Sequence, residues 1–169
     1  MSSITEIQLQ QGDARLVFLA VAYHLGRPGS ELDPLTKQPV DHGLAEVAAG
    51  LQPQLNREEA SISLRQGQAR RLLSGMLGAI SELKSYPMLH LRAGPDGRRS
   101  TVPGFDRSLT HLFPEVEEDA QEAVGVAESM LMLRRRLEQD LADLLAEPEE
   151  PPAEAPQPKR GWWPFGKKS

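Results

Sequence analysis

The residues best equipped for chemistry in this chain are aromatic and basic, and they stand together. Trp162, Trp163 and Phe165 lie within Lys159-Arg-Gly-Trp-Trp-Pro-Phe-Gly-Lys-Lys-Ser169, flanked by Lys159, Arg160, Lys167 and Lys168. Trp162 and Trp163 are the two tryptophans of the protein. The chemistry such a segment does is binding: aromatic rings anchor an interface, and cations steer them towards negative charge. Three occupations are open to it. The rings can fill a groove on a protein partner. They can lie in a membrane interface with the lysines at anionic headgroups, as weak and reversible binding that needs a second signal to hold. Or they can fold back onto the protein's own body. Pro164 and Gly166 break any helix across the rings, so the segment acts as a short extended or turned plug.

Other chemistry is poorly represented. The four histidines, His24, His42, His90 and His111, are scattered without the spacing of a metal-binding pair, and there are no cysteines. Thiolate zinc sites, disulfides and cysteine nucleophiles are therefore excluded, and neither metal nor cofactor is expected. Gly26-Arg-Pro-Gly29 and Gly94-Pro-Asp-Gly97 read as turns rather than phosphate loops. No serine stands in a nucleophile-elbow context, and the expectation is a non-catalytic protein. Arg65, Arg70, Arg71, Arg92, Arg98, Arg99 and Arg107 make residues 56–113 basic. Arg70, Arg71, Arg98 and Arg99 are the candidates for a phosphate-contacting face. The competing reading is a solvated surface, partly facing acids of the same molecule. The absence of interleaved aromatics and the net charge of −5 favour the latter, so nucleic acid is not the expected partner.

The elements that position these residues follow from periodicity. At 169 residues and 39% hydrophobic content the chain supports one modest core. No apolar run approaches the roughly 20 residues of a membrane span, and the start lacks a secretory pattern, so a cytoplasmic protein is expected, with peripheral membrane association as the alternative. Ile7 and Leu9 alternate within a strand over 4–9. Ala14–Leu25 is apolar nearly all round and predicts a buried helix, with Asp13 as its cap or first-turn acid. Residues 26–41 read as a loop. Asp41 can cap a helix carrying Leu44, Val47, Ala48 and Leu51, ended by Pro53. Ile62 and Leu64 predict a second strand over 60–65, followed by a helix from Gln68 to Ser85. His24, on its apolar helix, is expected to be a hydrogen-bonded interior or edge residue. A hairpin is expected between 88–92 and 100–103, and a short helix over 105–113.

The chain also resembles itself. Ile7-Gln-Leu-Gln-Gln-Gly-Asp-Ala-Arg15 aligns on Ile62-Ser-Leu-Arg-Gln-Gly-Gln-Ala-Arg70 with six identities in nine. Leu51-Gln-Pro-Gln-Leu55 resembles Leu112-Phe-Pro-Glu-Val116, and Asp41-x-x-Leu44 resembles Asp106-x-x-Leu109. The reading is two degenerate strand–turn–helix copies, about 4–55 and 59–113, within a domain spanning 1–113. Their two strands can pair and so satisfy each other's backbone groups.

From Pro114 an apolar stripe at spacings of three and four runs from Val116 to Leu145. It predicts one amphipathic helix over 114–147, about 50 Å long at 1.5 Å per residue. Its start is acidic, and Arg134 with Glu138 and Arg136 with Asp140 are set for i, i+4 pairs. The stripe can pack back on the repeats or form a seam with a partner, including a homodimer. Residues 148–158 hold five prolines and three glutamates, a composition that makes an extended spacer. The fold class expected is α+β, mostly helical, ending in a disordered tail. The function expected is an adaptor or scaffold that recruits a protein partner through 159–169, with membrane-surface association or nucleic-acid regulation as the alternatives.

Overall fold

A computed structural model describes residues 3–27, 35, 40–92, 102 and 104–148. The fold is mostly helical around a small antiparallel sheet. Strand β1 (Ile4–Leu9) pairs with β2 (Ala60–Arg65) in a register that sets Ile7 opposite Ile62 and Leu9 opposite Ala60. Alternation explains which face is buried. Ile7, Leu9, Ile62 and Leu64 turn inwards, while Glu6, Gln8, Ser63 and Arg65 face solvent.

A two-stranded sheet has two free edges, and side chains close part of each. Gln54, in a 3-10 turn over Gln52–Gln54, accepts from the Ser61 N–H at 3.0 Å and donates to the Ser61 carbonyl at 3.2 Å, as a neighbouring strand would. At the end of β1 the Gln10 N–H donates to Asp13 Oδ2 at 2.7 Å, and at the end of β2 the Arg65 N–H donates to Gln68 Oε1 at 2.9 Å.

Each strand runs into a helix. Helix α1 (Asp13–Gly26) carries Asp13 in its first turn, and Val17, Leu19 and Ala20 are fully buried. Helix α2 (Leu44–Leu51) starts after Gly43, which sits at φ +80 with its Cα hydrogens close against Gln68. Asp41 accepts from the Gly43 and Ala45 N–H groups, so the expected cap is present as a turn just ahead of the helix. Helix α3 (Gln66–Arg92) is the central element and packs against α1 and against the helix over Glu122–Asp140. It begins at once after β2 and runs through Pro87.

That continuation overturns the expected strand over 88–92. Met88-Leu-His-Leu-Arg92 alternates in sequence and follows a proline, but it is helical. Leu83 and Tyr86 are fully buried ahead of the proline, while Met88 and Leu91 beyond it are exposed, so the last turn follows the helix already set by α3 despite an interior proline that costs about 3 kcal/mol. Most of the expected partner strand at 100–103 lies outside the described residues.

Helix α4 (Phe105–Leu112) follows Gly104, again at positive φ, and buries Phe105, Leu109 and Leu112. The single helix expected over 114–147 is instead three: α5 (Glu115–Glu118), α6 (Glu122–Asp140) and α7 (Ala142–Ala146). Asp119 makes the first break. Its backbone is extended at φ −136, and its Oδ1 accepts from the Gln121 N–H at 2.9 Å, offering the chain a turn in place of a helical bond. Leu141 at φ −99, ψ 4 separates α6 from α7. The apolar stripe nonetheless lands inside, with Val116, Ala123, Met130, Leu137, Leu141 and Leu144 buried in the core that begins at Ile7. Of the two expected i, i+4 pairs, Arg134–Glu138 forms at 2.7 Å. Arg136 turns away from Asp140 and pairs with Asp13.

Candidate functional site

An open concavity lies where the β1–α1 turn meets α6. It encloses about 720 Å³, within the range of about 300–1,000 Å³ common for ligand clefts. Leu16, Phe113, Val126 and Leu133 give it an apolar floor, and Met132, 66% exposed, stands at its rim. Gly125, on α6, adds a gap in the wall: a Cβ there would meet nothing within 4 Å. Two exposed acids, Glu115 and Glu122, stand at the mouth.

Asp13 and Arg136 form the polar end of this groove. Asp13 is 8% exposed and serves two donors, the Gln10 N–H and the Arg136 guanidinium. The carboxylate therefore does two jobs at once. It ends β1 cleanly, and it ties the start of α1 to α6 across 123 positions of sequence. With its cation engaged by Asp13, the lining keeps a negative balance from Glu115 and Glu122.

A second, smaller recess of about 370 Å³ lies under the outer edge of β2, lined by Val47, Gly50, Gln54, Ser63 and Gln68 among others. Strand alternation points the Ser63 backbone groups towards it, the same way as those of Ser61.

Among the described residues His24 is a buried titratable group with a lowered pKa. It is buried at 3% exposure in α1, its ring meets that of His42 edge-on at 6.2 Å, and its Nδ1 has no hydrogen-bond partner. The interior position matches expectation, but the Nδ1 bond does not form. Burial holds its pKa below the usual 6.5, helped by the nearby charges of Arg27, His42 and Arg71 and opposed by Asp41. His42 itself sits at φ +52, unusual for a non-glycine residue. Among the described residues no group of three or more histidines and acids is placed to hold a metal.

Of the residues that the sequence singles out, Trp162, Trp163, Phe165, Lys159, Arg160, Lys167 and Lys168 lie outside the described residues, as do Arg98 and Arg99. Arg70 and Arg71 are exposed on α3. Arg70 is engaged internally: its Nη2 donates to the Leu145 carbonyl at 3.2 Å, on the last turn of α7, where a cation is favoured. Arg15 does the same for other chain ends, donating to the Leu55 and Leu112 carbonyls and to Asn56 Oδ1. The groove was not visible in sequence, because its walls come from residues 11–16 and 113–136. Comparison with models of protein families, with curated proteins and with solved structures finds no match to this chain. No helix among the described residues is long and apolar enough to cross a membrane.

Proposed function

We propose that this protein is a non-catalytic adaptor, whose helical body carries the segment 159–169 to a protein partner. One observation supports the reading above the others. The described residues close a continuous apolar core from Ile7 to Leu144 out of aliphatic and methionine side chains, Tyr86 and Phe105. The three rings of 162–165 stand beside four cations in the sequence, a composition suited to recognition. Trp162, Trp163 and Phe165 are the anchors, and residues 148–158 are the spacer. The test is capture of binding proteins from source cells by the intact chain beside the Trp162→Ala/Trp163→Ala form, with flotation on anionic vesicles in parallel. Capture that disappears with the double substitution, without flotation, is the expected result. Flotation of the intact chain alone would transfer the anchor role to lipid, and capture unaffected by the substitutions would remove the tail from the account.

We further infer that the body is a duplicated unit with an approximate twofold axis through the sheet. Several features support it. Ile7 and Ile62, equivalent in the internal alignment, face each other across the strand pair. Asp13 and Gln68, also equivalent, make the same bond to the N–H three residues back. Gly43–Leu51 and Gly104–Leu112 each present a positive-φ glycine followed by eight helical residues. In that frame Leu44 corresponds to Phe105, which keeps the Leu51/Leu112 match and displaces the Asp41/Asp106 one.

A further inference from the structure

We propose that the groove between the β1–α1 turn and α6 is a docking site for an aromatic peptide flanked by cations, and that its occupant is this chain's own segment 159–169, bound in cis. The proposal rests on the reading of that segment as a recognition element and adds where it rests when no partner is bound.

Three observations carry it. The first is shape and surface. The groove is apolar along Leu16, Phe113, Val126 and Leu133, deepened at Gly125, and has Met132 exposed at its edge, a soft side chain that suits aromatic rings. The second is charge. Glu115 and Glu122 stand at its mouth, Glu117, Glu118 and Asp119 are exposed beside them, and residues 114–147 carry a net charge of −7. The segment 159–169 carries four cations and no acidic side chain, placed on both sides of its rings. Rings on the floor and cations at the mouth match groove and segment term for term.

The third is reach. The described chain ends at Pro148, with Glu147 held by Gln66 at the start of α3. From there back to Ser129 in the groove wall the mostly helical chain spans about 30 Å at roughly 1.5 Å per helical residue. Residues 149–161 span about 40 Å as a polyproline-type spacer. The tether therefore reaches with slack. A tether also holds its end at an effective concentration on the order of mM. Modest intrinsic affinity is then enough to fill the groove, and a partner that binds the same rings more tightly displaces it.

The chain supplies its own probe, since Trp162 and Trp163 are the only tryptophans and the body contributes none. Intrinsic tryptophan emission and acrylamide quenching of the intact protein, compared with a synthetic 159–169 peptide, read docking directly. The expected result is a blue-shifted emission with several-fold weaker quenching in the intact chain, unchanged on dilution. Gly125→Arg places bulk and positive charge in the groove without touching the core, and should return both signals to those of the free peptide. Glu115→Lys/Glu122→Lys should do so in part, and circular dichroism verifies that each variant is folded. Emission equal to that of the free peptide, a blue shift that survives Gly125→Arg, or one that vanishes on dilution would each overturn docking in cis. A blue-shifted chain that captures no partner fails the adaptor reading alone. Partner capture by a chain with free-peptide emission fails the docking alone.

Discussion

Asp13 shows how much one side chain can do when it is buried with two donors. Its carboxylate ends β1 through Gln10 and ties α1 to α6 through Arg136. Arg136→Ala should therefore leave a nearly buried carboxylate without its cation. Fully buried pairs lose about 3–5 kcal/mol on such a change, and the partial exposure of Arg136 brings the expected loss down to about 1–3 kcal/mol. Denaturant unfolding of Arg136→Ala, Asp13→Asn and the double variant gives the coupling, and independent losses would contradict the linked arrangement. His24 makes the complementary case. Its pKa is lowered in the folded protein by burial first and by neighbouring cations second. The unfolded chain therefore binds the proton more readily, so stability holds above pH 6.5 and falls as pH drops from 6.5 towards the lowered native value. Stability measured across that window should slope downwards towards acid, and His24→Leu should flatten the slope. A histidine slope that persists in His24→Leu would assign it elsewhere.

At the level of elements, the turn chemistry decides more than the apolar pattern does. Gln68 spans the β2–α3 junction and α2 at once, accepting from the Arg65 N–H and donating to the Gly43 carbonyl at 3.1 Å. Gln68→Ala should cost about 1–2 kcal/mol, since it leaves two part-buried backbone groups without their partner. Gly43→Ala should cost a comparable amount, because φ +80 strains an L residue and its Cβ would fall 2.8 Å from Gln68 Nε2. Thermal unfolding of the two variants checks both. The same contrast explains what could be read ahead of the structure. The strands over 4–9 and 60–65 announced themselves by alternation, α1 by a run apolar nearly all round, and α2 by three–four spacing. Met88–Arg92 misleads because alternation over five residues cannot be told from one helical turn with mixed burial. The break at Asp119 is silent in the apolar pattern, since Val116 and Ala123 stay buried on either side of it while a polar side chain redirects the backbone. The groove was illegible for a different reason: its acids, floor and ion pair meet only once α6 is laid against α1.

For the molecule as a whole, the described residues close a core running from Ile7 to Leu144, and docking of the aromatic segment is expected to add little to its stability. A tail held tenfold in favour of the docked state stabilises the body by about 1.4 kcal/mol, which is about 5 °C or less in thermal midpoint for a domain of this size. Function and stability should therefore separate cleanly when the segment is removed. The most direct measurement is partner capture by the intact chain and by a chain lacking 159–169, with the thermal midpoint recorded on the same samples. Capture lost at a midpoint lowered by no more than about 5 °C is the predicted result. Capture that survives the deletion would contradict the claim that Trp162, Trp163 and Phe165 are the recognition element, and a collapse of the midpoint would make them part of the fold instead.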